Sequence, residues 1–195
     1  MKMKMTGVVM ATFAVSAMAV SAAESAPQPG FKFQLGLAYV SGMQDLADKI
    51  ELNNPMYKVD VLVPVGLTMS GYYDFANGMA FGLNVGPACA AVGGDANFYI
   101  LPVGADVRYT FMEESSVSPY LRAGIEKNFV SGDFISDASV GFVGAVGLEF
   151  GHSKSFSWGV EAGYNSSEIK VNAGGGHPSA NVKPMEFTLS VFMRF

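Results

Sequence analysis

An all-β chain folded as an eight-stranded antiparallel up-and-down transmembrane β-barrel is predicted by three observations. Apolar side chains fall on every second position in eight separate segments, the connections between segments alternate between short and long, and the set opposite the apolar one is rich in Gly, Ser, Thr and Ala. A strand has a side-chain period of two, so each segment reads as a strand with one apolar and one polar face. Roughly ten residues per segment is the length that crosses a bilayer at a tilt.

The first segment alternates Phe31, Phe33, Leu35, Leu37 and Tyr39 with Lys32, Gln34, Gly36 and Ala38. A second is expected over 59 to 69, with Val59, Val61, Val63, Val65, Leu67 and Met69 on one face. The third sets Met79, Phe81, Leu83 and Val85 against Gly82, Asn84 and Gly86. In the fourth, Tyr99, Leu101, Val103, Ala105, Val107, Tyr109 and Phe111 oppose Pro102, Gly104, Asp106, Arg108 and Thr110. Leu121, Ala123 and Ile125 alternate with Arg122, Gly124 and Glu126 in the fifth, and Phe142, Val146, Leu148 and Phe150 with Gly147 and Glu149 in the sixth. The seventh places Phe156, Trp158, Val160, Ala162 and Tyr164 against Ser157, Gly159, Glu161 and Gly163. The eighth, over 185 to 195, puts Phe187, Leu189, Val191, Met193 and Phe195 on one face and Glu186, Thr188, Ser190, Phe192 and Arg194 on the other.

Connections at 74 to 78, 112 to 118 and 151 to 155 are short and carry turn formers such as Asn77-Gly78 and Gly151. Longer polar stretches lie at about 41 to 57, 88 to 97, 128 to 139 and 165 to 183. An up-and-down barrel has this order of short and long connections, with both termini on the short-turn side, and an even strand count closes it.

Half the residues are apolar, 15% are charged and 23 are Gly, as in a folded, strand-rich chain. Lys2 and Lys4 precede an apolar run over 8 to 20, and Val20-Ser21-Ala22-Ala23 offers small residues for cleavage. Residues 1–23 therefore read as a cleaved signal peptide, the run being shorter than the ~20 residues of a membrane anchor. Residues 24–30 form a short periplasmic N-terminal segment and 31–195 the barrel, one domain without an internal linker. Cleavage removes two lysines and no acid, taking the formal charge from -5 to -7, which disfavours nucleic-acid binding. Cys89 is the single cysteine, so no intramolecular disulfide forms, and it reads as a small buried or loop-end hydrophobe.

Alternation alone does not separate a membrane barrel from a soluble, lipocalin-like binding barrel. Here the polar set carries few charges and these are of both signs: Lys32, Arg108, Arg122 and Arg194 against Asp106, Glu126, Glu149, Glu161 and Glu186. That suits a narrow lumen whose charges pair with one another, whereas a solvated exterior carries many more Lys and Glu. Aromatics of the apolar set, including Tyr39, Tyr99, Tyr109, Phe150, Trp158 and Tyr164, concentrate near strand ends, as in interfacial girdles.

On these features the chain resembles the small eight-stranded outer-membrane barrels of the OmpA/OmpX type and the related porin-like barrel family. Residues 101 to 109 and 119 to 124 look like that family's fourth and fifth strands, and the strand ending at Phe195 is similar to the terminal strand that the barrel insertion machinery recognises. The resemblance covers about 30 to 195. It implies a multi-pass cell outer-membrane location after export to the periplasm, and contact with outer-membrane lipids and lipopolysaccharide. It also implies a monomeric state, and a structural or surface role such as envelope integrity, adhesion or stress resistance. An external ligand or host surface would be met through the loops at 41 to 57 and 165 to 183.

Eight strands leave an interior just wide enough for side chains, so a general pore is not expected. Passive transport of small, possibly apolar, molecules is the alternative. Glu149 and Glu161 are expected as counter-ions of lumenal arginines rather than catalytic carboxylates. His152 with Ser153 or Ser155 and Glu161 superficially resembles lipid A deacylases, but His152 falls in a short periplasmic turn. His177, after Gly174-Gly175-Gly176, lacks a second His or a Cys, and Asp133 and Asp137 fall short of a calcium loop. Asn165-Ser166-Ser167 reads as the start of a loop. No enzyme activity, cofactor or metal site is expected.

Overall fold

The computed structural model describes residues 29–59, 64–91, 97–112, 115–151 and 155–195. The signal segment and its cleavage site lie outside the described residues, as do His152 and Ser153. The elements run in the order β1 (Gly30–Val40), α1 (Met43–Asn53), β2 (Val65–Asp74), β3 (Met79–Ala91), β4 (Phe98–Thr110), β5 (Val117–Gly132), β6 (Ile135–Ala138), β7 (Val140–Phe150), β8 (Ser157–Asn165), β9 (Ile169–Val171), β10 (Ala180–Val182) and β11 (Phe187–Arg194).

Eight of these strands close a barrel in the order β1-β11-β8-β7-β5-β4-β3-β2. Every neighbouring pair is antiparallel, and the seam between β1 and β11 sets Gln34 opposite Arg194 through to Val40 opposite Thr188. At the short-turn end, Phe33 and Phe195 exchange backbone hydrogen bonds of 2.8 and 2.9 Å. Closure leaves no free edge, the condition for a sheet in hydrocarbon.

Alternation is carried through the barrel wall. Leu83, Ile125, Phe142, Leu189 and Val191 face outward and are more than half exposed, while Tyr72, Arg108, Tyr120 and Glu149 face inward and are at most 2% exposed. Aromatics mark the outer surface near the strand ends: Phe150 stacks on Trp158 at 4.2 Å, Tyr109 meets Phe111 edge-on at 4.8 Å, and Tyr164 meets Phe187 at 5.6 Å.

Glycines make room inside. Tyr72 stands opposite Gly82, Tyr120 opposite Gly147 and Phe192 opposite Gly159. A Cβ at any of these three glycines would run into the ring across from it. Large and small residues thus alternate around a narrow lumen.

Three expectations are corrected. The second strand is Val65–Asp74, not 59 to 69; Val59 is instead buried away from the wall, and 60–63 lie outside the described residues. Alternation continues unbroken through Tyr73, so the strand shifts toward the turn at Asn77-Gly78, where Gly78 takes a φ of +80°. The stretch 41 to 57 is not a plain polar loop, because it holds the helix α1. The remaining long connections are also partly regular: β3 reaches Ala91, β5 reaches Gly132, and β6, β9 and β10 form a separate three-stranded sheet in the order β10-β9-β6.

Helix α1 buries Met43, Leu46, Ala47, Ile50 and Asn53, spaced as one face of a helix. Its Asp45 lies in the first turn, where a negative charge suits the helix dipole. Gly42 precedes it because a Cβ there would lie 2.5 Å from the Lys183 carbonyl oxygen. The Asn53 amide anchors the other end, donating to the carbonyls of Asn172 at 2.8 Å and Pro178 at 3.2 Å.

Candidate functional site

The lumen is filled in two layers, both written along the inward faces of the strands. From the long-loop end to the short-turn end, the inward residues of β4 read Phe98, Ile100, Pro102, Gly104, Asp106, Arg108 and Thr110. Apolar residues therefore occupy the mouth under the long connections, and charges lie deeper.

In the deep layer, Arg108 donates to Glu149, which also accepts from Ser157 and, at 3.3 Å, from Arg194. Arg194 reaches Asp74 as well. Arg122 bridges Asp106 at 3.0 Å and Glu161 at 2.7 Å. Tyr120 donates to Glu161 at 2.8 Å, and Asn84 to Asp106 at 2.5 Å. The Arg108 guanidinium lies 3.6 Å from the Tyr120 ring centroid, a cation–π contact out of water. Glu126 accepts from the Asn165 amide, Asn165 Oδ1 accepts from the Ser167 backbone N–H at 2.8 Å, and the Ser167 hydroxyl accepts from Asn128 at 2.7 Å. Ionised groups removed from water demand such partners, and breaking one leaves a costly unpaired charge.

Asp106, Arg108, Arg122, Glu126, Glu149, Glu161 and Arg194 are thus brought into one buried polar region. Lys32 is not joined to it by an ion pair: it shares the inward face but sits partly exposed at the short-turn end. Glu186 is likewise only partly buried, beyond the strand. Asp74, Tyr72, Tyr120, Asn84, Asn165 and Ser157 take part without having been expected. Tyr120 shares its parity with Arg122 and was legible on that ground. Asp74 and Tyr72 were hidden by the misplaced second strand.

Above this layer an apolar cluster closes the mouth. Val40, Cys89, Phe98 and Ile100 from barrel strands meet Met43, Leu46, Ala47 and Ile50 of α1, together with Val59, Ile135, Ile169, Val171 and Met185. Cys89 is therefore a buried hydrophobe under the cap. His177 lies on the exposed outer loop, bridging Gly174 by backbone hydrogen bonds, and among the described residues no group of three His, Cys, Asp or Glu converges as metal ligands. Phe187, Leu189, Val191, Met193 and Phe195 all point outward, each at least 47% exposed.

A family profile described as outer membrane protein beta-barrel domain matches residues 8–195. Among solved structures, the outer membrane protein OprG from Pseudomonas aeruginosa is similar with a TM-score of 0.57 at 15% identity, covering 85% of this chain and 95% of that one. Neisserial surface protein A, NspA, is similar with a TM-score of 0.51 at 17% identity, covering 85% of this chain and 96% of that one. At such identities the likeness shows the fold. No curated protein matches the chain.

Proposed function

The chain belongs to the outer membrane protein beta-barrel domain family, and from that membership we propose that it is a non-conducting outer-membrane barrel with a structural or surface-interaction role. In this reading the ion-paired lumen stiffens the wall and the ordered cap presents the surface that meets a ligand or host. Envelope integrity, adhesion and stress resistance are the roles that fit. The observation that carries it is the doubly closed lumen, an apolar cap seated over a buried ion-pair layer. An eight-stranded barrel filled by two such layers argues against the water-filled passage that diffusion of polar solutes needs.

Export by way of the periplasm, recognition of the Phe195 strand by the insertion machinery, contact with lipopolysaccharide and a monomeric state belong to the same proposal. It assigns no catalysis, since Glu149 and Glu161 are committed to arginines.

Reconstitution in planar bilayers tests the closed lumen: no openings above background are expected, and reproducible conductance would support the passive-transport reading instead. The surface role is read on bacteria displaying the protein. Leu52, Met56 and Tyr57 are exposed on and after the last turn of α1, and replacing all three with Ser is expected to lower attachment to host cells or matrix. Equal attachment of both forms would refute an adhesive cap.

A further inference from the structure

The outward positions of the wall strands are free of formal charge with one exception. Among the described residues, Lys127 is the single Lys, Arg, Asp or Glu on the lipid-facing side of the eight strands, between Ile125 and Phe129 of β5. It is exposed, and among the described residues it forms no ion pair. Its ammonium nitrogen lies 5.8 Å from the Phe129 ring centroid.

Register sets its height. Lys127 stands opposite Val140, the first residue of β7 and the last rung of the β5–β7 ladder. Beyond that rung β5 leaves β7 and continues beside β4, as far as Gly132 opposite Phe98. Lys127 therefore stands at the rim of the wall on the long-loop side. Ile125 and Phe142, 54% and 75% exposed, form the rung below it and belong to the apolar band. A cation on the lipid face of a barrel costs most at the bilayer midplane and least near the interface. At the rim, a lysine lays its stem along apolar wall and extends the ammonium to the headgroup layer.

We propose that Lys127 binds the phosphate of an anionic lipid headgroup in the leaflet at the long-loop end, an inference that rests on the outer-membrane reading above. An ammonium is a compact point charge suited to a phosphate oxygen. On the outward face, at the edge of the apolar band, the anions within reach are those of the headgroups. Phe129 and Val140 flank the lysine with apolar surface, 55% and 62% exposed, against which the upper part of an acyl chain packs. A second copy of this chain fits less well, since among the described residues the outward wall offers no carboxylate to answer the lysine.

The test folds the full mature chain into vesicles of phosphatidylcholine alone, or of phosphatidylcholine with an equal minor share of phosphatidylglycerol or lipopolysaccharide, at low ionic strength. Heating followed by gel mobility gives the unfolding midpoint. An anionic lipid is expected to raise the midpoint by several degrees in the wild type, to lose at least half of that effect in Lys127→Gln, and to keep it in Lys127→Arg and in the cap variant Lys49→Gln. A lysine-dependent rise with lipopolysaccharide alone assigns that lipid, and a rise with both assigns anionic lipid phosphate in general. Equal responses of wild type and Lys127→Gln, or the same rise from inorganic phosphate added to phosphatidylcholine vesicles, would overturn the site while leaving the barrel reading intact. Failure of the wild type to fold into any of the vesicles would overturn both.

Discussion

Replacing Glu149 by Gln removes one charge from the deep lumen while keeping volume and an acceptor oxygen, so the change isolates the ion pair. Arg108 and Glu149 are 1% and 0% exposed. Arg194 retains Asp74, whereas Arg108 is left with the Tyr120 ring and, among the described residues, no carboxylate within salt-bridge reach. Stripping one partner from a buried pair costs about 3–5 kcal/mol, and every ~1.4 kcal/mol is tenfold in the folding equilibrium. The variant should therefore lose at least two orders of magnitude in that constant. Trp158 is the single tryptophan. It faces outward on β8 against Phe150, so its emission follows insertion into lipid. Urea titrations in vesicles, read by that emission, give the free energy. Adding Arg108→Met to Glu149→Gln removes the stranded cation and should recover most of the loss. A single-variant loss below about 1 kcal/mol, or a double variant as unstable as the single, would refute the account of the pair as mutually dependent buried charges.

Two further outcomes follow from the packing. Gly147→Val drives a side chain into the Tyr120 ring and should cost about 1–3 kcal/mol or more through overpacking, checked by the same urea titration. Leu46→Ala empties a fully buried position beneath the cap and should cost about 2–5 kcal/mol locally. Trypsin should then cleave after Lys49 faster than in the wild type, while the heat-resistant gel form of the barrel persists.

The barrel was legible in the sequence because a period of two is hard to produce by chance over eight segments, and outward Leu, Val and Phe keep it clear. Seven of the charges that meet inside were legible from parity alone, and Asp74 was not. What escaped was position along the axis. Val59, Phe98 and Ile100 carry the same apolar character as lipid-facing residues, yet they are buried beneath the cap. Whether an apolar side chain faces lipid or a cap depends on tertiary closure that no local window contains. Helix α1 did leave a signal, since Met43, Leu46, Ala47 and Ile50 follow helical spacing, but the surrounding Asp, Lys, Glu and Asn made the stretch read as a polar loop.

The three rings opposite three glycines bear on how such a sequence changes over generations. What the lumen fixes at each rung is the summed volume of a facing pair, not the identity of either member. Tyr120 and Gly147 can then exchange size across the rung in two steps, the ring shrinking before the glycine grows, whereas the reverse order passes through a clash. Inheritance should therefore act on these positions as pairs, and drift between relatives should leave the summed size at each rung intact while erasing the letters that compose it.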